Sequence, residues 1–220
     1  MKYVGESGEQ MFKSDIFGSR VLFICAHPDD SEICAGGTIK KLVNSGREVN
    51  VVVFSLSEPR ERRISELQMG LETLDVNYEI IEGTHGQVAD MEMKKIVYHT
   101  DHIIDKYCPT SVITHFYLDT HLDHRLISDG VISTSRNRQF NLIFMNSASI
   151  HAYQKGEFNY NLLIDVSEEI EYKYNSIKCH TSQKNVIESI SAYRCRDAYY
   201  GSICKTKYAE AYILAKFCYI

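Results

Sequence analysis

Two short segments that lie far apart in the sequence, residues 27–32 and 119–124, are rich in histidine and aspartate. Histidine and carboxylate side chains are the usual ligands of catalytic zinc, which takes three protein ligands and leaves a fourth position for water. His27 and Asp30 stand three positions apart and can face one point, and His124 can supply the third ligand from the other segment. We therefore predict that these three residues hold Zn²⁺, although such a ligand set also binds other divalent transition metals.

Polar residues beside the predicted ligands suit the hydrolysis of an amide. Zinc lowers the pKa of a bound water to about 7, so that hydroxide is available at neutral pH. Asp29 can take a proton from the attacking water and later pass one to the leaving amine. His121, if protonated, can stabilise the oxyanion of the tetrahedral intermediate, and Asp123 can orient a ligating histidine. We predict these three residues as catalytic.

The hydrophobic pattern places both segments in a chain of alternating strands and helices. Continuous apolar runs such as residues 21–26 are typical of strands that are buried on both faces. This alternation predicts an α/β fold, a Rossmann-like three-layer sandwich with a mostly parallel central sheet. Strands are predicted at 21–26, 48–54, 78–81, 111–114, 140–145 and 162–166, and helices at 31–44, 64–74, 91–107, 122–135, 168–179, 186–195 and 208–217.

The expected strand order explains why the two polar segments should meet. In a doubly wound sheet of order 3-2-1-4-5, the order reverses between strands one and four, and ligands bind at the carboxyl ends of the strands at that point. The segments 27–32 and 119–124 follow these two strands. Either segment alone could be a helix-capping turn or a solvated loop. Their shared position favours a metal site at the carboxyl ends of strands one and four.

The composition limits the other possibilities. The 220 residues carry a formal net charge of −5 without a run of lysine and arginine, so nucleic acid is not an expected partner. Neither a membrane span nor a signal peptide is visible, and residues 1–17 are polar and charged. Seven irregularly spaced cysteines predict buried free thiols in a reducing cytoplasm. No linker or repeat divides residues 1–220, which we predict to form one domain, with loops or a hairpin at 137–161.

Several motifs resemble those of one family, the LmbE-like (PIG-L) deacetylases of N-acetylglucosamine derivatives. Ala-His-Pro-Asp-Asp-Ser-Glu at 26–32 and Asp-Thr-His-Leu-Asp-His at 119–124 are the most specific of them. Arg-x-x-Glu at 63–66 and His-x-Ser-Gln at 180–183 are similar to further family segments. The sequence departs from the family at 55–58, where Ser-Leu-Ser-Glu replaces Thr-x-Gly-Glu, and this change affects the expected shape of the substrate pocket.

The resemblance implies residue roles that agree with those argued from the residues alone. His27, Asp30 and His124 would be the zinc ligands, Asp29 the general base and His121 the oxyanion stabiliser. It also implies that the substrate, an N-acetylglucosamine-type amino sugar or its conjugate, is contacted by a further residue, Arg63.

We therefore expect a metal-dependent N-deacetylase that acts on a small soluble amino sugar, and the family resemblance suggests assembly as a homo-oligomer. Two alternatives come from other classes of protein. One is a non-catalytic sugar-binding or regulatory protein on the same scaffold. The other is a metal-dependent glycosyltransferase that uses a nucleotide sugar.

Overall fold

A seven-stranded sheet forms the centre of the computed structural model, which describes residues 15–56, 58–81, 86–149 and 155–218. The strands are β1 Arg20–Cys25, β2 Glu48–Val53, β3 Asn77–Ile80, β4 Ser111–His115, β5 Asn141–Met145, β6 Leu162–Asp165 and β7 Ala209–Lys216. They stand in the order β3-β2-β1-β4-β5-β7-β6, and the first five in this order are parallel. The predicted α/β class, the mostly parallel sheet and the order 3-2-1-4-5 are thus confirmed.

Helices cover both faces of the sheet. The apolar side chains of its strands point alternately to the two faces, so both faces have to be buried. The helices are α1 Asp30–Asn44, α2 Arg60–Leu74, α3 Met93–Tyr107, α4 Leu122–Ser135, α5 Ile170–Lys178, α6 Lys184–Glu188 and α7 Ile190–Cys204. Val21 and Phe23 of β1 pack in one core, whereas Leu22 and Ile24 pack in the other. The first core lies under α1, α2, α5 and α7, and the second lies under α3 and α4.

Two of the predicted elements are wrong. The helix predicted at 208–217 is β7, which lies between β5 and β6 and is antiparallel to both. Alanine, glutamate and lysine favour a helix locally, but pairing along both edges of β7 outweighs that preference. The single helix predicted at 186–195 is divided into α6 and α7, which meet at Ser189.

Some predictions lie partly or wholly outside the described residues. They concern most of the segment 1–17, residue 57 of the segment 55–58, and residues 150–154 of the region 137–161. Across the described ranges, no helix has both the length and the apolar character that a membrane crossing requires. The thiols of these ranges are free, but Cys108, Cys195 and Cys204 are exposed and not buried as predicted.

The pairing of β1 with β4 brings the two polar segments together. Ile24 stands beside Thr114 in the parallel register, so the chain leaves both strands at the same edge of the sheet. Helix α1 begins within a few residues of that edge, and it runs close to the chain before α5. A Cβ atom on Gly37 of α1 would lie 2.7 Å from the Cβ of Val166, so only glycine permits this approach.

Candidate metal centre and active site

The turn after β1 presents the carboxylate of Asp29 to a cavity. Asp29 has a φ of 94°, in the left-handed region that aspartate tolerates better than most residues. It precedes the first residue of α1, yet its side chain makes no capping hydrogen bond to that helix. The carboxylate is therefore available for other contacts, although only 8% of the residue is exposed.

The three predicted metal ligands lie close to one another. One Asp30 oxygen, Oδ1, lies 3.3 Å from Nε2 of His124, and the other, Oδ2, lies 3.6 Å from Nδ1 of His27. Donor atoms on a tetrahedral zinc ion with bonds of 2.0–2.2 Å are separated by about 3.3–3.6 Å. His27 and His124 each also offer a nitrogen within 4.8 Å of the other's. Because the two contacts use different oxygens of Asp30, they show that the three side chains lie close together and that their donor types suit a divalent transition metal.

Two overlapping groups of three residues have donor atoms near enough to share an ion. One group is His27, His121 and His124, and the other is Asp30, His115 and His124. His124 belongs to both groups, so it lies at the middle of the cluster, and the predicted ligands His27 and Asp30 are divided between the two groups. The stacking of its ring on that of His115, with centroids 4.0 Å apart, shows how closely the cluster is packed.

Carboxylates outside the predicted ligand set fix the orientation of its two imidazoles, those of His27 and His124. Asp119 lies 3.1 Å from Nδ1 of His124, which leaves Nε2 directed to Asp30. Asp123 lies 2.9 Å from Nε2 of His27, which leaves Nδ1 for the ion. Such carboxylate–histidine pairs set the tautomer and the basicity of metal-binding imidazoles. The structure thus places Asp123 beside a histidine, the position that the sequence suggested for it.

The electrostatics of the cluster favour positive charge on two imidazoles. Burial lowers the pKa of His27, but its contacts with Asp123 and Asp30 outweigh burial and raise that pKa to about 9. Burial also lowers the pKa of His124, and Asp30 and Asp119 raise it to about 10. A divalent ion supplies the same positive charge, so its binding displaces protons from these rings.

The protonation state of His115 differs from that of His27 and His124. Its Nε2 accepts the backbone N–H of Ala26 at 2.9 Å, so the neutral ring carries its proton on Nδ1. Burial, reinforced by the neighbouring His124, lowers the pKa of His115 to about 4. His115 therefore packs against the cluster as an uncharged ring that fixes the end of β1.

His121 is placed to donate a hydrogen bond from the rim of the cluster. It caps α4, and its Nδ1 accepts the backbone N–H of Asp123 at 3.2 Å. A neutral ring with this contact carries its proton on Nε2. Burial and the adjacent His124 and His27 lower the pKa of His121. The side chain can thus act as a neutral donor, whereas the sequence suggested a protonated one.

Arg63 lines the cavity and forms an ion pair with Asp29. Its Nη2 lies 3.0 Å from the Asp29 carboxylate and also donates to the carbonyl of Pro28. Only 2% of Arg63 is exposed, and its Nη1 lies 3.4 Å from Glu66. Burial raises the pKa of Asp29 to about 6, although Arg63 opposes this rise. A carboxylate with a pKa near neutrality is suited to general base catalysis.

Two motifs that resemble family segments in the sequence meet behind this ion pair. Glu66 accepts the backbone N–H and the hydroxyl of Ser182, at 2.7 and 2.6 Å. His180 lies 2.8 Å from Glu32 and 3.5 Å from Arg63. The motifs at 63–66 and 180–183 were visible in the sequence, but their mutual contact was not. They hold the guanidinium of Arg63 in place, and Arg63 in turn holds the Asp29 carboxylate.

A cavity of about 990 Å³ opens over the cluster. The metal-centre residues form its floor. Its walls come from the segment after β2, the turn at residues 86–87, the loop after β5 and helices α6 and α7. This volume lies at the upper end of the roughly 300–1,000 Å³ that small-molecule pockets occupy. The cavity has room for a ligand larger than one sugar ring.

The contact of Asp119 with His124 leads to a testable expectation. Asp119→Asn removes the charge beside His124 but keeps a similar shape, so zinc affinity should fall by about 10–100-fold. Competition with a chromophoric chelator measures this change on metal-depleted protein. Asp129→Asn, an exposed aspartate on α4, is the matched control. Equal zinc affinity in the two variants would show that Asp119 does not support the metal site.

The α/β sheet carries a histidine–aspartate cluster at the ends of β1 and β4 whose donor types suit a divalent metal, and comparison with known proteins identifies the family. The family described as PIG-L, GlcNAc-PI de-N-acetylase, matches residues 22–135, and the chain belongs to this family. The matched region contains all the predicted ligands and catalytic residues.

Curated relatives extend the similarity beyond that region. The diacetylchitobiose deacetylase of Thermococcus kodakarensis is 28% identical over an alignment of 219 positions, which covers 87% of this chain and 81% of the relative. The 1D-myo-inositol 2-acetamido-2-deoxy-alpha-D-glucopyranoside deacetylase of Corynebacterium glutamicum is 41% identical over 51 residues. That match covers 23% of this chain and only 18% of the relative.

Solved structures share the fold at low sequence identity. The conserved protein TT1542 from Thermus thermophilus has a TM-score of 0.78 at 17% identity, covering 91% of this chain and 96% of its own. GalB, the 4-carboxy-2-hydroxymuconate hydratase from Pseudomonas putida, has a TM-score of 0.70 at 16% identity, with coverage of 91% and 98%. Because a hydratase shares this fold, the fold alone does not define the reaction.

Proposed function

We propose that the protein is a metal-dependent hydrolase that removes the N-acetyl group from an N-acetylglucosamine-type amino sugar or its conjugate. The observation that carries this proposal is the cluster of His27, Asp30 and His124, in which the Asp30 carboxylate lies 3.6 and 3.3 Å from the two imidazoles, with Asp29 lining the same cavity. The named activities of the curated relatives support the same reaction class. Zn²⁺ is the metal that we propose for the site.

Each residue of the centre has a part in this reaction. A divalent ion held by His27, Asp30 and His124 would polarise the amide carbonyl and make water more acidic. Asp29 accepts a proton from the attacking water and returns one to the departing amine, so that acetate and a free amine are formed. His121 donates its Nε2–H to the developing oxyanion.

The positioning groups keep these atoms in place during the reaction. Asp119 and Asp123 hold the two imidazoles, and Arg63 holds the Asp29 carboxylate through a contact of 3.0 Å. Such preorganisation lowers the cost of reaching the reactive geometry. We also propose a cytoplasmic location, since a reducing compartment keeps the seven cysteines as thiols.

The two alternatives, a sugar-binding protein and a glycosyltransferase, would require different features of the site. A sugar-binding protein without activity has no need for a carboxylate whose pKa is raised to about 6 beside a metal-type cluster. A glycosyltransferase that uses a nucleotide sugar needs positive groups for the diphosphate. Arg63 is the one lysine or arginine among the described residues that line the cavity, and its terminal nitrogens contact Asp29, Pro28 and Glu66.

Acetate release tests the proposed function. Zinc-loaded protein should release one acetate per free amine from N,N'-diacetylchitobiose or another N-acetylglucosamine derivative. A chelator should abolish the release, and added Zn²⁺ should restore it. Acetate release that persists without metal would contradict the metal-dependent mechanism. Sugar transfer without acetate release would favour the glycosyltransferase, and binding without either product would favour the sugar-binding protein.

A further inference from the structure

Three segments that line the cavity are joined behind it by one side chain, that of Arg196. The segments are α1 at Ile33, the loop after β5 at residues 148–149, and α7 at Tyr193. Nη2 of Arg196 donates to the main-chain carbonyl of Ile33 at 2.8 Å, and Nη1 donates to that of Ser147 at 2.9 Å. From its own position on α7, Arg196 therefore bridges the other two segments.

The geometry of the guanidinium makes this bridge rigid. Only 12% of the Arg196 side chain is exposed, so its charge requires hydrogen bonds and a counter-charge. The two carbonyls supply the hydrogen bonds, and the carboxylate of Asp197 lies 3.5 Å from Nε. A guanidinium is planar and presents its nitrogens in a fixed fork. The contact therefore sets the spacing between the carbonyls of Ile33 and Ser147, and not only the position of each.

The carbonyl of Ile33 lies inside a helix, where a side chain seldom finds a partner. A helical carbonyl normally accepts the N–H four residues further on. Here that N–H, of Gly37, donates to the Glu210 carboxylate at 3.0 Å, and the Ile33 carbonyl accepts the guanidinium. Ile33 follows the predicted ligand Asp30 by three residues, so it lies on the same side of α1. Arg196 thus holds the turn of α1 that forms the wall next to the metal centre.

The loop after β5 has a further attachment to α7. Nδ2 of Asn146 donates to the hydroxyl of Tyr200 at 2.8 Å. Within the loop, the backbone N–H groups of Ser147 and Ser149 donate to the side chains of Asn146 and Ser147, at 2.8 and 3.2 Å. These contacts order the loop where it lines the cavity, and Arg196 supplies the charged contact among them.

We propose that Arg196 is a positioning residue for substrate binding: it fixes the spacing between the walls formed by Ile33 and by residues 148–149, so that one substrate molecule contacts both. This inference rests on the proposed function. A preorganised site binds more tightly than one whose walls the ligand has to order. Arg196 lies behind the walls and contacts neither Asp29 nor the predicted metal ligands, so its loss should weaken binding and spare the chemical step.

Arg196→Lys tests this role, because lysine keeps the charge beside Asp197 but has one nitrogen in place of the fork. With N,N'-diacetylchitobiose, KM should rise on the order of tenfold, the effect of losing one charged hydrogen bond. The value of kcat should stay within about twofold, as expected when binding is lost equally from the ground state and the transition state. An unchanged KM, or a fall in kcat alone, would overturn the inference.

A neighbouring arginine provides the matched control. Arg194 lies on the same helix, and its guanidinium pairs with the exposed carboxylate of Glu171 at 2.9 Å, away from the cavity. Arg194→Lys should keep both KM and kcat within about twofold of wild type, because surface ion pairs contribute little. An equal rise of KM in the two variants would overturn the assignment to Arg196.

Hydrogen exchange separates this inference from the proposed function, because it requires no activity. In Arg196→Lys, the backbone amides of Ser147 and Ser149 should exchange on the order of tenfold faster than in wild type, since the loop loses a contact with α7. The amide of Phe23 in β1 should exchange at the wild-type rate. Unchanged exchange in the loop would overturn the inference, and so would an equal rise at Phe23, which would make Arg196 a structural residue only.

The remaining combination concerns a wild-type protein that releases no acetate. The proposed function then fails, and calorimetric titration of zinc-loaded protein with N,N'-diacetylchitobiose takes the place of KM. Weaker binding by Arg196→Lys than by wild type, together with faster exchange in the loop, supports the positioning role. Equal binding by the two proteins, or binding by neither, overturns it.

Discussion

Replacement of Asp29 by asparagine is expected to lower kcat by about 10²–10⁴-fold while the protein keeps its metal. Asparagine has the same shape as aspartate and tolerates the φ of 94° at this position. Its amide oxygen can still accept from Nη2 of Arg63, which lies 3.0 Å from the carboxylate. Asparagine cannot take a proton from water, so the variant isolates proton transfer from backbone geometry and from metal binding. Acetate release and zinc content, measured on the same preparation, test this expectation.

A second aspartate that also has a positive φ provides the control. Asp75 has a φ of 56° and pairs with Lys40, but it lies at the end of α2 and outside the cavity. Asp75→Asn should leave kcat within about twofold of wild type, because Asp75 does not line the cavity. Activity close to wild type in Asp29→Asn would refute its role as the base. Loss of zinc in that variant would instead make Asp29 part of the metal site.

Most of the fold could be predicted from local patterns, because the sequence of most helices and strands shows the hydrophobic pattern that is typical of that element. The helix predicted at 122–135 coincides with α4, and the strand order from β3 to β5 follows from alternating strands and helices. Strand β7 could not be recognised in this way. Its sequence, Ala-Glu-Ala-Tyr-Ile-Leu-Ala-Lys, suits a helix locally, and only its two neighbours in the sheet make it a strand.

The sequence likewise predicted only part of the site, because some of its contacts depend on tertiary packing. The sequence placed His27, Asp30 and His124 near one another, because two strand ends had to meet. It did not predict that Glu66 and Ser182 would contact each other behind Arg63, 2.6 Å apart at their nearest oxygens. That contact depends on how α2 packs against the segment after α5, and no residue spacing within either segment encodes this packing.

A buried cluster of charges between α1, α5, α7 and β7 leads to the largest expected effect on stability. The Lys173 ammonium lies 2.7 Å from Asp197 and 2.8 Å from Glu210, and none of the three side chains exposes more than 1% of its surface. Glu210 also accepts the backbone N–H groups of Gly37 and Thr38 in α1. The cluster therefore ties α1, which begins in the metal centre, to α5, α7 and β7.

Lys173→Met should lower the free energy of unfolding by about 3–5 kcal/mol, because the apolar side chain leaves two buried carboxylates without their shared cation. For a chain of this size the melting temperature should fall on the order of 10 °C. Chemical denaturation and thermal melting of the purified variant measure both quantities. Lys106→Met is the control, since Lys106 pairs with Glu79 at a partly exposed site, where a change below about 1 kcal/mol is expected.

Neutralisation of the carboxylates distinguishes charge from packing as the cause of that loss. If uncompensated charge destabilises Lys173→Met, then adding Asp197→Asn and Glu210→Gln should recover part of the lost free energy, because the buried groups no longer require a cation. If the loss came from poor packing of methionine, the triple variant should be no more stable than the single one. Equal destabilisation by Lys173→Met and Lys106→Met would mean that the cluster does not stabilise the contact between α1 and β7.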